Sequence, residues 1–172
     1  YAGGSLGLSL SGSSAAVQSK LGIWDGAAVR ATHVELAGRV TQVDKASTLS
    51  SDEEHPTHVS TTMMGAGVNP LARGMAFGAK LQAWDFNSDL SEMTAASPNL
   101  LVSNHSYGTT AGFQFNPDLT GTQWQWYGDT TVSATYDYKF VLYATATRNW
   151  DQIANNAPYY LIVKSAGNDH GV

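Results

Sequence analysis

Three residues of types that move protons and stabilise charge stand at breaks in the chain's pattern: Asp25, His55 and Asn168. Asp25 closes the apolar run Leu21-Gly22-Ile23-Trp24 and precedes Gly26, while Asn168 follows an apolar run and Gly167. His55 lies where the acidic stretch Asp52-Glu53-Glu54 meets a segment with helical spacing. A carboxylate can orient an imidazole, the imidazole can take a proton from a nucleophile, and an amide can donate to an oxyanion. Plainer readings stand beside these: Asp25 as a turn residue, His55 as a cap or filler, and the acidic stretch Asp52–Glu54 as a solvated face. His55 and His58 beside Glu53 and Glu54 suggest a metal cluster at first sight. Histidines three apart nevertheless lack the i, i+4 face of the HExxH zinc motif.

These groups need elements to hold them. After His55, Val59, Met63 and Met64 recur at helical spacing, and Gly65 and Gly67 close the segment, which predicts a helix gripping a core. Pro56 fits its first turn, where a missing N–H leaves nothing unpaired. Leu21–Trp24, Gly38–Val43, Ala79–Phe86, Leu100–Ser103 and Tyr159–Ala166 read as strands, the last one buried. Helices are expected over Ala15–Leu21 (capped by Ser13 or Ser14), over Asp89–Ala96 after Ser88, and over Tyr136–Asn156 up to Pro158. Residues 1–14 form a Gly- and Ser-rich arm. Residues 109–135, aromatic, Gly and Thr rich without a clear period, read as a long decorated loop. There Trp124, Trp126 and Tyr127 suit packing within the loop better than a carbohydrate or peptide platform.

Short apolar strands separated by helices imply an α/β fold with a mostly parallel sheet between helical layers. Functional groups in such sheets gather at the carboxyl ends of the strands. Those ends carry Asp25, the Asn104–Gly108 run and Asn168, and right-handed connections bring His55 to the same edge. His33, His105 and His170 present no case for chemistry, although His105 falls near this rim.

With 172 residues, 42% hydrophobic and 13% charged, the chain is one ordered domain with a sizeable core. A net charge of −5 argues against nucleic acid or an anionic membrane as the main partner. The absence of Cys removes disulfides and thiolate metal sites, and fits an exported protein as well as a cytosolic one. No apolar run approaches the roughly 18 residues of a membrane span. The chain opens on Tyr1 with no signal peptide, so a processed or cut N-terminus is expected.

At these same residues the chain resembles the subtilisin-like serine proteases. Ile23-Trp24-Asp25-Gly26 is similar to that family's aspartate box, and Thr32-His33-Val34-Glu35-Leu36 to the His-x-Glu-Leu segment after it. His55-Pro56-Thr57-His58-Val59 resembles the His-Gly-Thr-His-Val box, Ser106-Tyr107-Gly108 the substrate-binding strand, and Ser165-Ala166-Gly167-Asn168 the segment lining the primary specificity pocket. The motifs arrive in the family's order over residues 20–172. The resemblance implies a three-layer subtilisin-like fold, incomplete at its C-terminal end, and an endopeptidase that hydrolyses peptide bonds by acyl transfer. Asp25 would orient His55, His55 would act as general base and then general acid, and Asn168 would stabilise the oxyanion. Peptide would lie along Ser106–Gly108 as an added strand, and small walls at Ser165, Ala166 and Gly167 would leave room for a large apolar side chain. The resemblance also implies a secreted or cell-surface location and no required cofactor. Structural calcium is common in the family, but no loop here shows a ligand spacing for it.

The chain departs from the pattern in two ways. The family's order Asp, His, Ser puts the nucleophile last, in a Gly-Thr-Ser box, and no such box follows Asn168 before Val172. The expectation is therefore a partial catalytic domain over residues 1–172, with a companion chain or C-terminal segment supplying the serine. Pro56, Thr61 and Ala27 also stand where the family favours glycine, with Pro56 expected to reset the His55 backbone and Thr61 to push the helix off its neighbour; Phe77 stands where it has proline, a tolerated change. Two other readings compete with peptidase: an inactive pseudoprotease that binds peptides or a partner, and a metal-dependent hydrolase built on His55, His58 and the nearby acids.

Overall fold

The computed structural model describes residues 10–46 and 52–168. Five strands form a parallel sheet: β1 (Leu21–Asp25), β2 (Val40–Gln42), β3 (Leu81–Asp85), β4 (Val102–His105) and, after the β-ribbon described below, β7 (Leu161–Lys164). Their order is β2-β3-β1-β4-β7, so β1 lies at the centre and β7 at an edge. Side chains alternate across the sheet. Ile23, Leu81 and Ala83 face Val29, Leu36 and Met64, the last from α1 (Glu54–Met64). On the other face Trp24 and Trp84 meet Met93 of α2 (Asp89–Ala96), Ile153 of α3 (Thr145–Asn156), Leu100 and Tyr160. The sheet is thus sandwiched between helices, the α/β fold expected. Each fully buried side chain of this size contributes roughly 1.5–3 kcal/mol. Packing rather than propensity therefore holds α1, whose Thr-, Ser- and Val-rich sequence is a modest helix former.

Gly22 shows why β1 begins with a small residue. A Cβ there would lie 2.9 Å from Leu100 Cδ1 and 3.3 Å from the Trp24 ring. Beside it the indoles of Trp24 and Trp84, paired in register, stack with centroids 4.1 Å apart and planes 1° from parallel.

Several elements differ from expectation. Ala15–Leu21 makes successive turns, with Gln18 N bonded to Ser14 O at 2.8 Å and Lys20 N to Val17 O at 3.0 Å, because Leu21 is already committed to the sheet and the remainder is too short to nucleate a helix. The fourth strand begins at Val102 rather than Leu100, whose side chain is used to fill the core. The stretch read as a decorated loop over 109–135 contains an antiparallel ribbon, β5 (Phe113–Phe115) with β6 (Trp124–Trp126), sealed by ring pairs Phe113–Trp126 at 4.6 Å and Phe115–Trp124 at 5.4 Å.

The helix expected from Tyr136 starts only at Thr145. Buried Asp137 prevents an earlier start, because its carboxylate accepts Gly112 N at 2.8 Å and Lys139 N at 3.0 Å and pairs with Lys139 Nζ at 3.3 Å, which fixes a single 3₁₀ turn instead. The final strand, expected to be buried, pairs only with β4 among the described residues and leaves Leu161 61% and Val163 43% exposed. Residues 1–9 of the arm and His170 lie outside the described residues. Of the described residues, no helix is long and apolar enough to cross a membrane.

Candidate active site

Asp25 ends the central strand, so its side chain emerges at the sheet's carboxyl edge. It is 2% exposed. Its Oδ1 accepts Gly26 N at 2.7 Å and lies 2.7 Å from His55 Nδ1, while Oδ2 has no hydrogen-bond partner among the described residues. An ionised carboxylate only accepts, so the shared proton belongs on Nδ1 and Nε2 is the basic nitrogen of the neutral ring. His55 Nε2 forms no hydrogen bond among the described residues, and its side chain is 58% exposed. A carboxylate-anchored imidazole with one open nitrogen is the arrangement a general base requires.

The departures from the family pattern fit this geometry. Pro56 falls in the first helical turn, buried, and the imidazole beside it still reaches Asp25. Thr57 Oγ1 accepts Arg30 N at 2.9 Å, tying the helix start to the loop after β1. Thr61 does not lever the helix away: its hydroxyl folds back to His58 O at 2.8 Å. The end of α1 remains docked, with Met75 N on Thr62 O at 3.2 Å and Ala76 N on Met63 O at 2.8 Å. Ala27 is 8% exposed and sits among core residues.

His55 borders a cleft of about 500 Å³ whose other walls are Ser106–Gly108 and Ser165–Asn168. The first wall continues β4 and the second continues β7; Ser165 N still donates to His105 O at 3.1 Å before the two chains part. Asn104 Nδ2 donates to Ser106 Oγ at 2.8 Å and steadies the first wall. The sequence-derived candidates thus converge: Asp25 supports the imidazole from below, and the rest line one cleft. Thr109, Thr110, Gln114 and Phe140, from the region of the ribbon, close its far side. They carried no signal in the sequence because the ribbon itself was not foreseen.

Beneath the first wall runs a buried polar chain that sequence reasoning missed. Asp89 Oδ2 accepts from Tyr107 Oη at 2.8 Å, Tyr107 Oη meets His105 Nδ1 at 3.0 Å, His105 Nε2 meets Ser103 Oγ at 2.7 Å, and Ser103 Oγ meets Tyr160 Oη at 2.5 Å. Burial, with the positive charge of Lys164 nearby, holds His105 down to about 3, so it is neutral. Burial pushes Tyr160 up to about 12, and burial together with the Asp89 hydrogen bond pushes Tyr107 up further. The period-two run Ser103-Asn104-His105-Ser106-Tyr107 was the available signal, since it places Ser103, His105 and Tyr107 on one face.

His58 is on a different side of α1. With His33, Arg30, Glu53 and Glu54 it lines a separate hollow of about 430 Å³. His55 and His58 therefore do not converge on one ligand, and among the described residues no group of three or more His, Asp and Glu side chains is arranged to hold a metal. This geometry counts against the metal-hydrolase reading. Glu35 also proves structural: its carboxylate accepts Gly67 N at 2.6 Å, Asn69 N at 2.8 Å and Val68 N at 3.1 Å, and these bonds, led by that from Asn69, keep its pKa below the usual value.

A parallel α/β sheet with a carboxylate–imidazole pair at its carboxyl edge matches the description carried by the motifs. The model of the subtilase family matches residues 20–171, and the chain belongs to that family of serine peptidases. No curated protein matches the chain.

Proposed function

We propose that residues 1–172 are the larger, N-terminal part of a serine endopeptidase catalytic domain. In this reading Asp25 orients His55, His55 takes the proton of a serine hydroxyl and returns it to the leaving amine, and Asn168 donates to the tetrahedral oxyanion. The observation that carries the proposal is the 2.7 Å contact between Asp25 Oδ1 and His55 Nδ1 at the head of a cleft lined by Ser106–Gly108 and Ser165–Asn168. The serine comes from sequence outside these residues, on a C-terminal segment or a companion chain. Peptide adds as a strand along Ser106–Gly108, where backbone hydrogen bonds give affinity and the Ser165–Gly167 wall admits a large apolar side chain. A secreted or cell-surface location accords with the family.

The test compares His55→Ala with His58→Ala in the full-length polypeptide, using a fluorogenic peptide mixture. His55→Ala is expected to lower kcat by at least about 10²–10⁴-fold, the contribution of one general acid–base group, while His58→Ala retains most activity. Equal, mild effects from both would overturn the assignment. Binding of peptide without turnover by the wild type would make the domain a pseudoprotease.

A further inference from the structure

We propose that Lys164 makes the cleft select substrates bearing a carboxylate, Asp or Glu, in a residue that lies over the Ser106–Gly108 wall. The inference rests on the peptidase reading above and names a preference within that same cleft.

Lys164 is the last residue of β7, paired in register with His105, and therefore lies on the same face as Tyr107. Its ammonium sits 4.0 Å from the centroid of the Tyr107 ring and 5.8 Å from that of Trp150. Those π faces are its contacts; the Asp89 carboxylate acts on it through space, but among the described residues no carboxylate comes within ion-pair distance of it. The Tyr107 ring is in turn fixed by its hydroxyl, held between Asp89 Oδ2 at 2.8 Å and His105 Nδ1 at 3.0 Å. The cation thus stands on an anchored platform rather than swinging free.

Lys164 borders two hollows. One is the cleft beside His55, whose described lining includes no Asp or Glu, so Lys164 is its permanent charge. The hydroxyls of Thr109 and Thr110 add polar groups to the same lining. The other, about 590 Å³, is walled by Phe86, Leu90, Tyr107 and Trp150. Its two carboxylates are already engaged, Asp89 by Tyr107 Oη and Leu90 N, and Asp151 by Tyr143 Oη. An ammonium held over aromatic faces gains from an incoming carboxylate, because a charge-assisted hydrogen bond is roughly twice as strong as one between neutral groups. A neutral isostere such as glutamine loses that gain while keeping size and shape.

The test uses the full-length protein and matched peptides that place Glu or Gln at each position N-terminal to the cleavage site. At one position kcat/KM is expected to favour Glu over Gln by roughly tenfold, the effect of one hydrogen bond between charged groups. In Lys164→Met that ratio should fall to near one, and in Lys164→Arg it should be largely restored. A wild-type ratio near one at every position, or an unchanged ratio in Lys164→Met, would overturn the inference. If no peptide is cleaved, the peptidase reading fails separately. The same Glu-to-Gln ratio is then read as affinity by fluorescence anisotropy, where a value that Lys164→Met leaves unchanged overturns the role of Lys164.

Discussion

His55 and His105 are two histidines held at Nδ1, one by a carboxylate at 2.7 Å and the other by a tyrosine hydroxyl at 3.0 Å. They differ in everything else. The His55 side chain is 58% exposed and its Nε2 forms no hydrogen bond among the described residues, whereas His105 is 0% exposed, with Nε2 bonded to Ser103 at 2.7 Å. An anchored ring with one open nitrogen can exchange protons with a bound molecule; an anchored ring with both nitrogens occupied can only hold its neighbours in place. Position in the sheet produces the contrast. His105 ends β4 facing the interior, stacked 5.1 Å from Trp24, while His55 enters from a helix start that overhangs the sheet's edge.

The sharpest way to break this comparison is to remove each ring. His105→Ala should destabilise the fold by about 2–4 kcal/mol in chemical denaturation, because it opens a cavity and strips partners from buried Ser103 and Tyr107. His55→Ala should change stability less than His105→Ala does, since its ring is more than half exposed and its removal opens Asp25 Oδ1 to water. Comparable losses from both would mean that the two rings are not divided between structure and chemistry as described.

A second effect sharpens the same contrast through pH. An unfolded histidine takes up its proton near 6.5, whereas His105 in the fold does so only near 3, through burial first and the charge of Lys164 second. Between those values the unfolded chain binds a proton that the folded chain does not. Stability from this group is therefore lost as pH falls through that window, at up to about 1.4 kcal/mol per pH unit. Glu35 adds an acid-side loss at lower pH, since its folded pKa is depressed and its contribution disappears as pH falls through that lowered value. Denaturation midpoints measured from pH 7 to 4 should slope less steeply in His105→Asn than in the wild type. An identical slope would place the buried proton uptake elsewhere.

Much of the sheet was readable because its strands are short apolar runs closed by Asp or Gly: β1 and β3 emerged within a residue or two of their bounds. The chemical rim was readable for a related reason. Parallel strands send their carboxyl ends to one edge, so Asp25, Ser106–Gly108 and Ser165–Asn168 had to assemble there once the strands were assigned. What escaped depends on contacts between residues distant in sequence. Asp137 stops an early start to α3 by bonding Gly112 N, twenty-five positions away, and no local pattern announces that. The ribbon Phe113–Trp126 closes through ring pairs across a loop, and the exposed edge of β7 reflects its place in the strand order rather than its apolar sequence. His105 was passed over because a lone histidine in a strand gives no sign of which partners the fold will bring to it.

The central claim is that Asp25 and His55 activate a serine hydroxyl. A fluorophosphonate reports this most directly, since it labels a serine in proportion to its activation by an adjacent base. In the full-length polypeptide, peptide mapping should find the label on a serine outside residues 1–172, and both His55→Ala and Asp25→Ala should slow labelling by orders of magnitude. Labelling that proceeds at the wild-type rate in His55→Ala would contradict the account.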